Sequence, residues 1–568
     1  MKVTLSFLIP ILITLLAVLL AYGRALKKRP ADQRETVDWR MERLLFLLIL
    51  GIGAAVRIAS FGKIPDGVYV DEAATGYDAY ALLHYGIDRN GFHNPVQLVS
   101  WGSGQYALAA YLSMPFIMLL GLNQVSIRLA SLCVGLLSLA AFYLLVRRTD
   151  GRRTALVALF LLAVNPWHIM LSRWGIDSNL FPGVFLLATC LLAKSFQNER
   201  WFVAALGVYG LTFYSYGTTY VMVPAFLLMV TAAFLARKVI RFRTALAGFA
   251  LTGLLALPIL VYVVINTFPA LGWGSVQTPW FSIPKLPGEA RYFQVSSIFT
   301  GGDFFETLAD NAAALVRLLI LQNDRLIWNA LPRYGVVYLF SLPLIVAGGL
   351  ILVKDQLDSR ELRGNYVFLA WLLSSVLLAL VMPVNIIRIN IIFLPIVYLI
   401  ARAVVFAGRQ AKVLAAALLL LFAGWFGLFV NEYFTAYPEQ IDAPFYDSLD
   451  EAIAYASEET GGEVVISTSQ IFMPYIYVLF YQQVDPNEFL STVQYADPTA
   501  PFRHVSSFGR YTFMEAADIP PSGATVILDN SELGQFDLAG YRVVSFEHYS
   551  VLVPHGAPTG AGGEEPSN

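Results

Sequence analysis

The sequence is poor in the residues that build soluble folds and cofactor motifs. Only 14% of its 568 residues are charged, against about 25% in an average soluble domain. Lysine plus arginine (38) nearly balance aspartate plus glutamate (40). These features exclude a soluble enzyme, a disordered chain and a nucleic-acid-binding protein. The two cysteines, Cys133 and Cys190, lie in apolar runs, so we expect free thiols and no disulfide framework. There is no Walker-type loop, CxxC or HExxH motif, and no internal repeat.

Long apolar runs are what the sequence has instead, and hydrophobic residues make up 57% of it. A membrane-spanning helix needs about 20 mostly apolar residues. By this criterion we predict a polytopic α-helical membrane protein. Twelve spans are predicted, at residues 3–22, 43–60, 126–147, 154–170, 181–196, 201–217, 219–236, 244–266, 334–353, 366–382, 391–406 and 413–430.

The basic residues predict the orientation of these spans. The segments 24–43, 147–153, 194–200, 237–243, 354–363 and 402–412 carry 23 of the 38 lysines and arginines. Because basic residues favour the cytoplasmic side, we expect these segments inside and the N-terminus outside. The first span is too long for a cleavable signal, so we interpret residues 1–42 as an additional helix followed by a cytoplasmic linker.

Three long segments are then expected outside. They are the loops 61–125 and 267–333 and the C-terminal region from 431. We expect residues 105–121 to form an interfacial helix, because a span there would place the arginine-rich 147–153 segment outside. Residues 431–555 are predicted to form a small α/β domain, with strands at 464–467, 525–529 and 542–546 and a helix at 446–458. Residues 556–568 are predicted to be disordered. Residues 43–430 would then form the transmembrane domain.

Ionisable residues near the membrane boundary are functional candidates because lipid tolerates them poorly. The adjacent carboxylates Asp71 and Glu72 come about ten residues after the second predicted span. A helix beginning near Asp71 would place Asp71, Thr75 and Asp78 on one face. The alternative is that Asp71 and Glu72 simply occupy the first turn of a helix, where the helix dipole favours acidic residues.

A second polar group follows the fourth predicted span. Arg173 and Asp177 are separated by four residues, near His168 and Trp174. An arginine suits a phosphate, and a tryptophan face suits a sugar ring. The alternative is an aromatic belt with an ion pair.

Isolated cations and further aromatic residues complete the set. Arg388 lies between two asparagines in a predicted outside turn, and Arg128 opens the third span. Either arginine suits a phosphate or snorkels to lipid headgroups. Tyr216, with its neighbours near the turn between the sixth and seventh spans, suits a sugar site or the aromatic belt.

Together these residues suit a sugar donor that is linked to a lipid phosphate and enters from the bilayer. One carboxylate would act as general base on an acceptor hydroxyl, and cations would stabilise the departing phosphate. A single inverting displacement at the anomeric carbon needs only one base. This differs from the two-carboxylate scheme of glycosidases.

The sequence resembles the GT-C superfamily of polytopic membrane glycosyltransferases, in particular bacterial members of glycosyltransferase family 39 (protein O-mannosyltransferase and aminoarabinose-transferase-like). The motifs are Val70-Asp71-Glu72-Ala73, Ser126-Ile127-Arg128-Leu129-Ala130-Ser131, Asn165-Pro166-Trp167-His168 with Ser172-Arg173, and Pro383 to Arg388. The resemblance covers residues 43–430. The additional N-terminal span and the C-terminal α/β region fall outside it.

The resemblance implies roles for these residues. Asp71 would be the catalytic base, with Glu72 positioning the base or the acceptor. Arg173, Arg388 and Arg128 are the predicted contacts for the donor phosphate. The predicted sugar or acceptor pocket comprises His168, Trp174, Asp177, Tyr77, Asp78, Trp101 and Tyr216. No cofactor is fixed, and a divalent cation is left open with Asp177 as its candidate ligand.

The implied partners are a polyprenyl-phosphate-linked monosaccharide, an extracytoplasmic acceptor (a glycan, lipid or protein) and the lipid bilayer. The implied location is a bacterial cytoplasmic membrane with the C-terminal region outside. Two other functions stay open. One is a lipid-linked oligosaccharide ligase or oligosaccharyltransferase, and the other is a flippase for lipid-linked glycans.

Overall fold

The structure is a computed structural model of the chain. It describes residues 5–27, 38–288, 303–359, 362–498, 500, 502–520 and 523–556. Residues 557–568 of the predicted disordered end, and residues 28–37 of the predicted linker, lie outside the described residues.

Helices dominate the described residues. In chain order they are α1 (Leu5–Lys27), α2 (Trp39–Ile58), α3 (Val70–Tyr85), α4 (Leu108–Leu120), α5 (Gln124–Ala163), α6 (Pro166–Leu171), α7 (Asp177–Ala193), α8 (Arg200–Thr212), α9 (Thr219–Ala236), α10 (Phe242–Thr267), α11 (Phe304–Leu321), α12 (Leu342–Asp358), α13 (Tyr366–Val381), α14 (Phe393–Gln410), α15 (Lys412–Thr435), α16 (Tyr437–Phe445), α17 (Leu449–Glu459), α18 (Tyr475–Gln482) and α19 (Pro486–Thr492).

The strands are short and concentrate in the C-terminal region. They are β1 (Gln97–Leu98), β2 (Gln105–Tyr106), β3 (Val276–Gln277), β4 (Ser282–Ile283), β5 (Val464–Ser467), β6 (Gln494–Tyr495), β7 (Val505–Phe508), β8 (Tyr511–Met514), β9 (Thr525–Asp529), β10 (Tyr541–Ser545) and β11 (Tyr549–Pro554). Seven of them form one mixed sheet in the order β10-β11-β9-β5-β8-β7-β6. Strand β5 pairs in parallel with both β8 and β9. The fold class predicted from the sequence, a polytopic helical protein with a C-terminal α/β region, is confirmed.

Each of the twelve predicted spans coincides with a helix or part of one. Eight described helices are long and apolar enough to cross a membrane, namely α1, α5, α7, α9, α10, α12, α14 and α15. Helix α5 contains the span predicted at 126–147 and the first part of the span predicted at 154–170, and Gly151 divides them with a backbone φ of 83°. The chain is therefore a multi-pass membrane protein.

Three predicted spans are not among these eight helices, because two are too short and one carries too many charges. Helix α8 has 13 residues and α13 has 16. At 1.5 Å per residue they reach about 20 and 24 Å, less than a hydrocarbon core of about 30 Å. Helix α2 is longer but carries Glu42, Arg43 and Arg57. That these three helices cross the membrane stays a prediction.

Several predicted boundaries are wrong. The span predicted at 334–353 corresponds to α12, which begins at Leu342, and the span predicted at 201–217 corresponds to α8, which ends at Thr212. Two further differences have a clear cause. The span predicted at 154–170 ends at Ala163, because Pro166 cannot continue the helix and Asn165 instead caps α6. The helix predicted from residue 105 begins at Leu108, because Gln105 and Tyr106 pair as a strand with β1. Helix α11, inside the loop predicted at 267–333, was not predicted at all.

The chain divides into two compact units. The first comprises Met1–Phe61, Ser131–Leu257 and Tyr292–Ala436, and the second comprises Gly62–Ala130, Pro258–Arg291 and Tyr437–Asn568. The predicted division at residue 431 differs, because the unit that contains the C-terminal sheet also includes the first outside loop. One apolar cluster explains this grouping, since it holds Tyr77 and Trp101 together with Phe480 and Phe489.

Within the first unit, helices pack closely where small residues allow it. Helices α12 and α14 meet at Gly348, where an added Cβ would lie 2.0 Å from the backbone oxygen of Leu399. At the neighbouring Gly349 the nearest atom to such a Cβ is a side-chain carbon of Leu399 at 3.9 Å. Small residues at helix contacts are a common packing device in membrane proteins.

These two glycines make a matched test of the helix packing. We expect Gly348→Ala to lower the free energy of unfolding by about 1–3 kcal/mol, because the backbone of α14 must move to admit the methyl group. We expect Gly349→Ala to change it little. Thermal unfolding of the purified protein in detergent measures both. Equal melting temperatures for the two variants would contradict this packing.

Candidate functional site around Asp71

The predicted site residues are divided between the two units. Asp71, Glu72, Tyr77, Asp78, Trp101 and Arg128 belong to the second unit, and His168, Arg173, Trp174, Asp177, Tyr216 and Arg388 belong to the first.

In the second unit, Asp71 and Glu72 lie in the first turn of α3, as the sequence predicted. The backbone N–H of Tyr69 donates to Glu72 Oε2 over 3.2 Å, which caps the helix. Acidic side chains in this turn also complement the positive end of the helix dipole. The helix-start interpretation therefore holds for both residues, and their other contacts distinguish them.

The carboxylate of Glu72 forms a buried ion pair with Arg128. Arg128 Nε lies 2.8 Å from Glu72 Oε1, and Nη2 lies 2.8 Å from Oε2. Arg128 also donates to the carbonyl oxygens of Pro65 and Gly67, at 2.7 and 2.8 Å. Both side chains are fully buried. This two-point geometry suits arginine and carboxylate, and it ties the loop before α3 to the helix. A substrate phosphate would reach Arg128 only if these contacts opened.

Asp71, in contrast, is partly exposed, and among the described residues one side chain donates to its carboxylate. Trp101 donates from its indole Nε1 to Asp71 Oδ1 over 3.1 Å. Trp101 itself is buried and has a backbone φ of 56°, which few non-glycine residues adopt. Its rotamer is confined further by Tyr475, whose ring packs edge-on at 6.1 Å. The indole N–H therefore orients the Asp71 carboxylate through Oδ1 and leaves the rest of the carboxylate accessible.

A chain of buried hydrogen bonds supports the same turn from behind. Gln105 donates from Nε2 to the backbone oxygen of Asp71 at 3.2 Å and to Thr75 Oγ1 at 2.9 Å. Ser100 Oγ donates to Gln105 Oε1, and Arg89 Nη2 donates to Ser100 Oγ over 2.6 Å. The guanidinium of Arg89 also lies 5.1 Å from the ring of Trp101. Arg89 thus contacts Trp101 directly and Gln105 through Ser100.

Two buried carboxylates share the single charge of Arg89. Asp78 Oδ2 lies 3.7 Å from Arg89 Nη1, and Asp78 Oδ1 accepts the backbone N–H of Arg89 at 3.2 Å. Asp88 Oδ1 accepts the N–H groups of Asn90 and Phe92, both at 2.9 Å. Burial, with a smaller contribution from Asp78, raises the pKa of Asp88 to about 7. Burial also raises the pKa of Asp78, and Arg89 opposes that shift.

Two residues of the predicted sugar or acceptor pocket are enclosed in this unit. Tyr77 is buried and donates its hydroxyl to the backbone oxygen of Val484 over 2.8 Å. Asp78 is fully buried beside Arg89. Their contacts are therefore with the protein interior, whereas Trp101 contacts Asp71 directly.

In the first unit, Arg173 closes the end of α2. It is 1% exposed and donates to the backbone oxygens of Arg57, Ala59 and Ser60 at 2.9, 2.7 and 2.9 Å. Its Nε also donates to the hydroxyl of Tyr433 over 3.1 Å. A cation that satisfies the last carbonyl groups of a helix is a C-terminal cap. The structure thus gives Arg173 a capping role.

His168 contacts a second buried arginine, Arg57. Nη2 of Arg57 lies 2.8 Å from His168 Nδ1, and Arg57 also donates to the backbone oxygens of Leu162 and Ala163, both at 3.0 Å. Because a guanidinium only donates, Nδ1 of His168 accepts and carries no proton. Arg57 is not among the residues predicted for the site, although an arginine inside the span predicted at 43–60 is a signal of function.

The remaining predicted residues of the first unit lie on or near helix ends. Asp177 is half-buried at the start of α7 and accepts the N–H of Ser178 at 2.7 Å. Arg388 is half-buried, and its backbone N–H donates to Asn385 Oδ1 over 2.8 Å. Tyr216 is half-buried between α8 and α9. Trp174 lines a small cavity of about 10 Å³ together with Ile386 and Asn390, so the polar group that contains Arg173 adjoins the turn that contains Arg388 there.

One group of side chains in the described residues offers the ligand types of a metal site. Oxygen atoms of Asp442 and Glu547 and a ring nitrogen of His548 lie within 4.8 Å of one another. Burial, together with Asp447, raises the pKa of Asp442 to about 6. Asp177, the predicted metal ligand, belongs to the other unit and is not part of this group.

The chain has the fold of the GT-C membrane glycosyltransferases. Residues 107–265 match the family described as dolichyl-phosphate-mannose-protein mannosyltransferase. The putative mannosyltransferase YkcB of Bacillus subtilis (strain 168) is 30% identical over 143 residues, which is 24% of this chain. That match spans a fifth of the relative's own length, 20%.

Solved structures are also similar, among them the following two. ArnT from Cupriavidus metallidurans, bound to undecaprenyl phosphate, has a TM-score of 0.52 at 12% identity, covering 89% of this chain and 97% of that one. The oligosaccharyltransferase of Archaeoglobus fulgidus in its apo form has a TM-score of 0.48 at 15% identity, covering 78% and 64%. The resemblance to the GT-C superfamily predicted from the sequence is confirmed.

The buried carboxylates give a testable pH dependence. Asp88 has a pKa of about 7 when folded, against about 3.9 for an aspartate in an unfolded chain. Between these values the folded state holds a proton that the unfolded state has lost. The free energy of unfolding therefore falls as pH rises through this window. Asp88→Asn keeps an acceptor for Asn90 and Phe92 and should flatten the dependence.

Melting temperatures in detergent at about pH 5 and about pH 8 measure this effect. We expect a larger fall for the wild type than for Asp88→Asn. The exposed Glu488→Gln, on α19 in the same unit, is the control and should behave as wild type. Identical pH dependence in all three proteins would show that Asp88 is ionised throughout.

Proposed function

We propose that this protein is a membrane glycosyltransferase that moves a monosaccharide from a polyprenyl-phosphate carrier to an acceptor on the outer face of the membrane. One observation carries the proposal. Of the two adjacent acids, Glu72 is fully buried against Arg128, whereas Asp71 is partly exposed and oriented by Trp101. The ion pair of Glu72 holds the first turn of α3 in place, and the accessible carboxylate of Asp71 in the same turn is suited to general-base catalysis.

In this proposal Asp71 removes the proton from an acceptor hydroxyl or amine. The acceptor oxygen or nitrogen bonds to the anomeric carbon while the bond from that carbon to the phosphate oxygen breaks. The electron pair leaves with the polyprenyl phosphate, and the proton stays on the Asp71 carboxyl group. The configuration at the anomeric carbon inverts, because a single displacement occurs. Glu72 positions the base and does not touch the substrate.

The comparisons support the donor class. The matched family is described as acting with dolichyl-phosphate mannose, and the similar ArnT structure holds undecaprenyl phosphate. Mannose is therefore the first sugar to test. Arg388 stays our proposal for a phosphate contact. Arg128 and Arg173 make buried contacts within the protein, so we rank them below Arg388 as candidate phosphate contacts. The proposed location is a bacterial cytoplasmic membrane with the C-terminal region outside.

Transfer of radiolabelled sugar from polyprenyl-phosphate mannose to cell-envelope fractions tests the proposal. We expect Asp71→Asn to lower transfer by about 10²–10⁴-fold, the usual contribution of a general base. Asp66→Asn is the matched control, because Asp66 is another acid of the same loop, and it should retain transfer. Melting temperature verifies that Asp71→Asn folds.

The variant Glu72→Gln distinguishes the structural role of Glu72 from the catalytic role of Asp71. Removing one partner of a buried ion pair costs about 3–5 kcal/mol, so this variant should lose folded protein and activity together. Transfer that survives Asp71→Asn would move the base elsewhere. If the wild-type protein transfers only a whole lipid-linked oligosaccharide, the ligase or oligosaccharyltransferase hypothesis is favoured. If it translocates a lipid-linked glycan without transferring sugar, the flippase hypothesis is favoured.

A further inference from the structure

The first unit contains a cavity of about 610 Å³ that the proposed chemistry does not use. Its walls come from α1, α5, α12 and α14, together with Arg363 from the segment before α13. Helix α1 is the additional N-terminal helix that lies outside the family resemblance. It is packed firmly into this unit, since Thr14 Oγ1 donates to the backbone oxygen of Phe340 over 2.7 Å.

Two carboxylates of the cavity are already matched by cations. Arg402 is mostly buried, forms an ion pair with Asp355 and lies 3.8 Å from Asp150. Arg363 Nη1 lies 3.6 Å from the other oxygen of Asp355. Arg402 also donates to the hydroxyl of Tyr398 over 3.2 Å. The charges of Arg402 and Arg363 therefore balance those of Asp355 and Asp150.

Two further cations, Lys354 and Arg409, line the same cavity without a carboxylate in direct contact, although Arg409 attracts Asp150 through space. Neither Lys354 nor Arg409 makes a side-chain hydrogen bond or salt bridge with any residue in the described part of the chain, and both are exposed. The lining therefore carries an excess of two positive charges over its two carboxylates. An anion placed between Lys354 and Arg409 would balance this charge.

The other walls of the cavity are apolar. The rings of Tyr22 and Phe406 pack with centroids 5.0 Å apart, and Leu26, Leu350 and Val405 complete this side. Leu26 is 89% exposed, although it belongs to a helix apolar enough to span the membrane. A ligand with both an anionic head and a hydrocarbon tail fits this combination better than a soluble anion does.

The side of the membrane agrees with this ligand. The cavity is lined by residues of the segments 147–153, 354–363 and 402–412, which their basic residues predict to be cytoplasmic. The cytoplasmic leaflet carries anionic lipids, and basic pockets between transmembrane helices bind their headgroups. We propose that this cavity binds an anionic phospholipid, with its phosphate between Lys354 and Arg409 and its acyl chain along Tyr22 and Phe406.

Native mass spectrometry of the full chain released from detergent tests the proposal. The probes are phosphatidylglycerol and phosphatidylcholine with identical acyl chains. We expect wild-type protein to retain phosphatidylglycerol about tenfold better, and the double variant Lys354→Gln, Arg409→Gln to lose this preference. Each single variant should lose part of it.

The matched control is Lys238→Gln with Arg243→Gln, which removes two exposed cations from another predicted cytoplasmic segment outside the cavity. It should keep the wild-type preference. Lys354 and Arg409 are exposed, so their variants should keep the wild-type melting temperature in lipid-free detergent.

Three outcomes would overturn the proposal. In the first, the double variant keeps its preference for phosphatidylglycerol. In the second, wild-type protein binds both lipids equally. In the third, glycerol phosphate added at millimolar concentration displaces the bound phosphatidylglycerol, which would identify a soluble-anion site instead.

Discussion

The buried pairing of Glu72 with Arg128 is the constraint on which the geometry around Asp71 depends. Burying two charges is costly, and their attraction compensates only when hydrogen bonds satisfy the remaining donors. Arg128 meets this condition through the carbonyl oxygens of Pro65 and Gly67. One arginine thereby anchors both the loop before α3 and the second residue of the acidic pair. Asp71, one residue earlier, is presented by a turn that cannot shift without breaking these contacts.

A second set of buried polar contacts holds Asp71 itself. Gln105 fixes its backbone oxygen and Trp101 fixes its carboxylate, while Arg89 contacts both supporting residues through Ser100 and the indole ring. The C-terminal region contributes Tyr475, which packs on Trp101. In our account the C-terminal region therefore has a share in shaping the site, because it belongs to the same compact unit.

Apolar length and charge placement predicted much of the fold from the sequence. The helix at Asp71 and strands β5 and β9 are found where patterning placed them. The supporting residues were not predictable in the same way, because Ser100 and Gln105 are uncharged and act through contacts between distant parts of the chain. Arg128 and Arg173 looked like phosphate ligands because an isolated arginine near a membrane suggests an anion. Backbone oxygens from distant parts of the chain surround both arginines instead, and the sequence pattern does not predict those contacts.

The central claim is that Asp71 accepts a proton during transfer while Glu72 holds the turn. The most direct measurement is the single-turnover rate of sugar transfer as a function of pH, for wild type and for the residual activity of Asp71→Asn. A protonated carboxylate cannot accept a proton, so the account predicts that the wild-type rate falls in acid. It also predicts that Asp71→Asn lacks this acid limb. An acid limb that persists unchanged in Asp71→Asn would contradict the assignment.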